Sequence, residues 1–215
     1  MHAINQEYFV RPETLKIAQG KQLGRLTHFP DGDRYSEDGG LNGGIRNPKS
    51  RLIPPGSQLV RFGGSPHSDA RPFAAKVAAG EWWLDEFRFK VLEAWAEARG
   101  ESVTYAVRQL CAVPAGWSDM SYVVKARTRS PLMAYAGFGR AATSGASRID
   151  PRHDHRVDIE QLFIPGLASP DLRKAALIVH EDKFLDPALS HKGARAKAEQ
   201  AAAINARLRA AVKAR

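Results

Sequence analysis

The chain has 215 residues, 43% hydrophobic and 26% charged, a balance that suits a folded protein long enough to bury a real core. No apolar run approaches the roughly 18–20 residues that cross a bilayer, and a single cysteine, Cys111, excludes an intramolecular disulfide and a cysteine-rich zinc site. The net charge of +9 is uneven: residues 192–215 hold seven basic residues and one acid, Glu199, so this tail carries +6 and the remainder +3.

The first residues lack the basic start and apolar stretch of a signal peptide. Cytoplasmic residence is the expectation, with export by a signal-less route left open. Pro12 sits where a helix tolerates proline in its first turn, and Gly20 ends that helix. Residues 30–57 are rich in Gly and Pro, which predicts a long loop or linker. Asp31-Gly32-Asp33 inside it is an acidic turn rather than a calcium loop, because Tyr35 and Ser36 stand where an oxygen ligand and a glycine are needed.

Gln58-Leu59-Val60-Arg61-Phe62 predicts a strand, stopped by Gly63-Gly64. A short Ala-rich helix follows over 72–79, then the adjacent rings of Trp82 and Trp83 behind Gly80. Asp85 is placed to cap a helix over 86–99, whose apolar positions Phe87, Val91, Leu92, Trp95 and Ala98 keep the 3.6 period, and Gly100 ends it. Ser102 caps a second helix to about Ala112, with Cys111 an inert residue on its buried face. Strands are expected at 122–128, 132–136 and 157–164, with loops at 137–145 and a helix from Pro170 to about His180. Beyond Pro187 a basic helix is expected over about 193–213.

This order predicts an α+β fold: a small mixed or antiparallel sheet core packed with helices, an N-terminal arm and a basic C-terminal helix. The expected division is an arm and linker at 1–56, a main domain at 57–190 and a tail at 191–215.

No Walker loop, Gly-x-Ser-x-Gly elbow or His-Glu-x-x-His motif is present. Arg152-His153-Asp154-His155-Arg156 pairs two imidazoles, but the flanking arginines repel a cation, so phosphate contact from Arg152 and Arg156 is the better functional reading beside a plain exposed loop. No metal is expected.

The remaining constellation is Arg61 in an early strand, Gly80-Glu81-Trp82-Trp83-Leu84-Asp85, and Glu160 in a late strand. Over about residues 57–168 this pattern resembles the ADP-ribosyltransferase superfamily, in the branch that contains poly-ADP-ribose polymerases and diphtheria-like toxins. That branch carries an NAD-holding basic residue on an early strand. It then has a Gly-Ile-Tyr-Phe-Ala-Asp segment whose Tyr stacks on nicotinamide, and a catalytic Glu on a late strand. The resemblance implies that Arg61 anchors NAD, Trp82 stacks on nicotinamide, Trp83 anchors the core, residues 120–139 supply middle strands and Glu160 is catalytic. Arg61 stands where that branch has His, Trp82 replaces Tyr, and no clear Ser-Thr-Ser strand is present.

The implied chemistry is coherent. Cleaving the nicotinamide–ribose bond develops positive charge on the ribose, which a nearby carboxylate stabilises. Arginine binds diphosphate or ribose oxygens by charge-assisted hydrogen bonds. An aromatic face attracts the cationic nicotinamide. The first functional expectation is therefore an NAD-consuming enzyme, a toxin or phage-related modifier, acting on a protein or nucleic acid. The second is a non-enzymatic basic accessory protein of a phage or plasmid. It would touch nucleic acid or a partner through Arg195, Lys197, Arg207 and Arg209 of the tail.

Overall fold

A computed structural model describes residues 2–27, 34–64, 74–151 and 159–185. Two short helices, α1 (Gln6–Phe9) and α2 (Pro12–Ala18), lead into the strands β1 (Lys21–Thr27), β2 (Arg34–Leu41), β3 (Ile45–Ile53) and β4 (Gln58–Gly63). Then come α3 (Ala74–Ala78), β5 (Trp82–Asp85), α4 (Glu86–Arg99) and α5 (Val103–Cys111). The rest comprises β6 (Tyr122–Thr128), β7 (Leu132–Gly139), β8 (Ala142–Ser144), β9 (Ser147–Ile149), β10 (Glu160–Phe163), α6 (Pro170–Ala176) and β11 (Leu177–Phe184). The fold is α+β, as the sequence predicts. Its centre is a seven-stranded antiparallel sheet in the order β11-β6-β4-β5-β10-β7-β3. Among the described residues no helix is long and apolar enough to cross a membrane.

The core splits into two layers because strand neighbours alternate faces. Leu59, Trp83, Leu132, Leu162 and Ile164 form one cluster. Val60 and Leu84, each one residue along its strand, join Leu92, Trp95, Val107 and Leu110 of α4 and α5 in the other. Each such fully buried side chain contributes about 1.5–3 kcal/mol. The helix boundaries follow their sequence signals. An Asp85 carboxylate oxygen accepts from the Arg88 N–H at 2.8 Å, the Ser102 hydroxyl accepts from the Tyr105 N–H at 3.0 Å, and Gly100 closes α4 in the left-handed region at φ 69°.

Three stretches differ from expectation. The predicted linker contains β2 and β3, and β3 is the edge strand of the main sheet, paired with β7. Its Pro48 and left-handed Asn47 (φ 48°) lie in the register shift between Arg46 and Lys49. Proline is tolerated at such a bulge on an edge, so the composition reads as loop while the chain runs as strand. The helix expected from Pro170 to His180 stops at Ala176, and β11 follows. The run Leu177-Ile178-Val179, with two β-branched residues, finds the open edge of β6. The loop expected around Thr143 to Gly145 is the hairpin β8–β9.

The N-terminal helices are tied to the sheet by Asn5, which is fully buried. Its side-chain amide donates to the Met133 and Pro165 carbonyls at 2.9 and 3.0 Å, and its Oδ1 accepts from the Met133 N–H at 2.8 Å.

Candidate functional site

The central feature is a gap in the sheet. β4 and β5 pair only through Leu59 with Asp85 and Val60 with Leu84. Beyond those pairs, Arg61, Phe62 and Gly63 stay with β6, while Trp83 and Trp82 stay with β10. The strands part there, and a cleft of about 750 Å³ opens. That size lies within the roughly 300–1,000 Å³ typical of small-molecule sites.

Arg61 spans the gap. Its Nε donates to the Val77 carbonyl at 2.6 Å, and its Nη1 donates to the Trp82 carbonyl. The Trp82 carbonyl lies where the β4–β5 pairing has stopped, so Arg61 supplies a donor there, while the Val77 carbonyl in α3 also accepts from the Gly80 N–H at 3.1 Å. Gly80 makes the arrangement possible: a Cβ there would lie 1.7 Å from Arg61 Nη2. Nε and Nη1 carry the hydrogen bonds that Arg61 makes among the described residues, and the residue lines the cleft. Burial lowers the Arg61 pKa to about 10, with Glu81 opposing the shift, so the group stays charged at neutral pH.

Trp82 also lines the cleft, packed against Phe163 with ring centroids 5.0 Å apart. Trp83 borders the cleft as well, but it is buried in the other layer and donates its indole N–H to the Gly80 carbonyl at 2.8 Å. Just before them in sequence, Glu81 holds the neighbouring loop through the Gly166 N–H at 2.7 Å. Burial raises its carboxyl pKa, against the lowering influence of the Gly166 bond and of Arg61.

Glu160 does not line this cleft. Its carboxylate is 2.8 Å from Arg51 and 4.0 Å from Arg88, and Arg51 also reaches Asp85 at 3.3 Å. The structure therefore brings Arg61 and Trp82 together and puts Glu160 in a separate ion-pair network. The reason is strand alternation: Gln161, the next residue, faces the cleft instead.

Gln161 is the site residue that the sequence did not single out. It is buried, and its Nε2 donates to the Cys111 carbonyl at 3.1 Å. Gly139 leaves room for the amide, since a Cβ there would come within 2.6 Å of Nε2. Nε2 supplies the side-chain hydrogen bond seen among the described residues, and Gln161 borders the cleft. Its signal was a polar residue in register with the core positions Ile159 and Phe163, obscured by the continuous run Leu162-Phe163-Ile164. Cys111 also borders the cleft, but burial pushes its thiol up to about 12, which keeps it protonated.

The cleft walls carry Arg61, Lys21 and Lys76 and no carboxylate among the described residues. Such a lining favours an anionic ligand. Arg152 to Arg156 and the tail residues Arg195, Lys197, Arg207 and Arg209 lie outside the described residues. Among the described residues no cluster of His, Cys, Asp and Glu could hold a metal ion.

No family model matches the sequence, and no curated protein matches it. Two solved structures contain chains that match part of this one. A chain in the structure of Tne2 in complex with Tni2 shares 15% identity at a TM-score of 0.38, covering 65% of this chain and 92% of that one. A chain in Rhs1-CT in complex with its cognate immunity protein RhsI1 shares 12% identity at a TM-score of 0.39, covering 66% of this chain and 82% of that one.

Proposed function

We propose that the cleft between β4 and β5 binds NAD and that the protein is an ADP-ribosyltransferase-like, NAD-consuming enzyme. The observation that carries this reading is the meeting of Arg61 and Trp82 in one cation-lined cleft. Arg61 Nη2 takes a diphosphate or ribose oxygen, and the Trp82 ring carries the cationic nicotinamide.

Gln161 Oε1 is the polar acceptor at the reacting end. The C–N bond breaks with its electron pair going to the nicotinamide nitrogen, which leaves positive charge on the ribose carbon. The negative end of the Gln161 amide dipole stabilises that charge and accepts a hydrogen bond from the attacking water or hydroxyl. The attacking oxygen bonds to the ribose carbon, and its proton passes to solvent. The catalytic role expected of Glu160 has less support, because Arg51 and Arg88 engage that carboxylate away from the cleft.

The direct test is nicotinamide release from NAD by the purified protein, with NAD binding measured in parallel. Release that falls in Trp82→Ala supports the proposal. Absence of both binding and release at millimolar NAD refutes it.

A second reading is favoured by the +6 charge of residues 192–215, which exceeds the charge of the remaining chain. In it the protein is a binding module for nucleic acid or another polyanion. Such binding weakens steeply with salt through counterion release. Truncation after His191 abolishes it; nucleic-acid binding unchanged by that truncation sinks this reading.

A further inference from the structure

We propose that Trp117 is a second stacking platform in the same cleft and carries the adenine half of the ligand, opposite the nicotinamide half on Trp82. This inference rests on the NAD reading and names a residue that the family pattern did not supply. Trp117 lies in the loop between α5 and β6 and lines the cleft. It is 46% exposed, unlike the fully packed Trp83 at 2%.

The ring is nevertheless held. Gly43, with φ 70°, passes so close that a Cβ there would lie 2.9 Å from the Trp117 ring carbon Cη2. The Gly43 backbone is itself fixed by its N–H donating to the Ala141 carbonyl at 3.0 Å, and the Trp117 N–H donates to Pro114 at 3.0 Å. A ring seated against backbone at its edge, yet half open to a cleft, is preorganised to stack.

Position decides which base each ring takes. Trp82 is packed against Phe163 on β10, the strand that carries Gln161, and the reacting nicotinamide end must reach Gln161. Trp117, on the exposed rim, is left for the base that takes no part in bond cleavage. Arg61 and Lys76 supply positive lining for a diphosphate between the two bases.

The experiment is calorimetric titration of wild type, Trp117→Ala, Trp117→Phe and Trp82→Ala with nicotinamide mononucleotide, AMP and NAD, with thermal melting as the folding control. Trp117→Ala is expected to bind AMP and NAD about tenfold more weakly, the order that one base–aromatic stack contributes, and to bind the mononucleotide as wild type does. Trp117→Phe restores most AMP affinity, and Trp82→Ala shows the opposite selectivity. If Trp117→Ala binds AMP like wild type while wild type binds NAD, this inference is overturned and the NAD reading stands. Equal losses for both half-ligands in a folded Trp117→Ala also overturn it. Wild type that binds none of the three ligands overturns both.

Discussion

Arg61 donates to the Trp82 carbonyl across the gap where β4 and β5 stop pairing, and the same guanidinium bonds Val77. One side chain thus replaces a stretch of sheet ladder and keeps the cleft open. Arg61→Ala removes the Trp82 carbonyl's Arg61 donor and leaves the Val77 carbonyl with the Gly80 N–H alone, and a loss of about 1–3 kcal/mol is expected in urea unfolding. Arg61→Lys recovers only part of it, because a single ammonium lacks the planar fork that reaches two divergent acceptors. Gly80→Ala should resemble Arg61→Ala, since its methyl group would occupy the space of Arg61 Nη2. If Gly80→Ala unfolds at the wild-type urea midpoint, the strut role is wrong.

Gln161 and Glu160 are neighbours on β10 with opposite orientations, and kinetics can separate them. Gln161→Ala is expected to lower nicotinamide release by on the order of 10²-fold, as removal of one electrostatic stabiliser does. Glu160→Gln is expected to stay within about threefold of wild type, because it alters a half-exposed ion pair. The reverse pattern would restore Glu160 as the catalytic group and require β10 to turn in the bound state.

Glu81 makes stability depend on pH. Its folded pKa is raised by burial, so the folded state binds this proton more readily than the unfolded chain. The stability this confers is full below the ordinary carboxylate value and is lost as pH rises through the raised folded value. Glu81→Gln keeps an oxygen for the Gly166 N–H and has no charge to bury. Urea midpoints measured from pH about 4 to 7 should fall less steeply in the variant than in wild type. Parallel curves would show that Glu81 is not the source of the slope.

Asn5 controls the cleft from a distance. It satisfies three backbone groups of Met133 and Pro165, and the segment it anchors supplies Ile17, Gly20 and Gln22 to the cleft wall. Asn5→Ala is expected to cost about 3 kcal/mol through the buried groups left unpaired. It should also weaken NAD binding, whereas Asn5→Ala with unchanged NAD affinity would show that the wall holds without this anchor.

The features legible in the sequence are those set by near neighbours. Asp85, Ser102 and Gly100 mark helix ends because caps act over three or four residues. Leu59 and Val60, or Trp83 and Leu84, divide between layers because side chains alternate along any strand. The α+β class follows from that local reading.

What only the tertiary structure decided depends on distant partners. Residues 45–53 and 177–184 are strands because β7 and β6 offer open edges, a fact absent from their own composition. The choice between Glu160 and Gln161 turns on the register of β10 against β5 and β7, and a shift of one residue would exchange them. The double tryptophan itself was visible from the start. Strand alternation already divides Trp82 from Trp83; what the tertiary structure added is the gap beside them, where β4 abandons β5 after Val60 and Arg61 bridges the two.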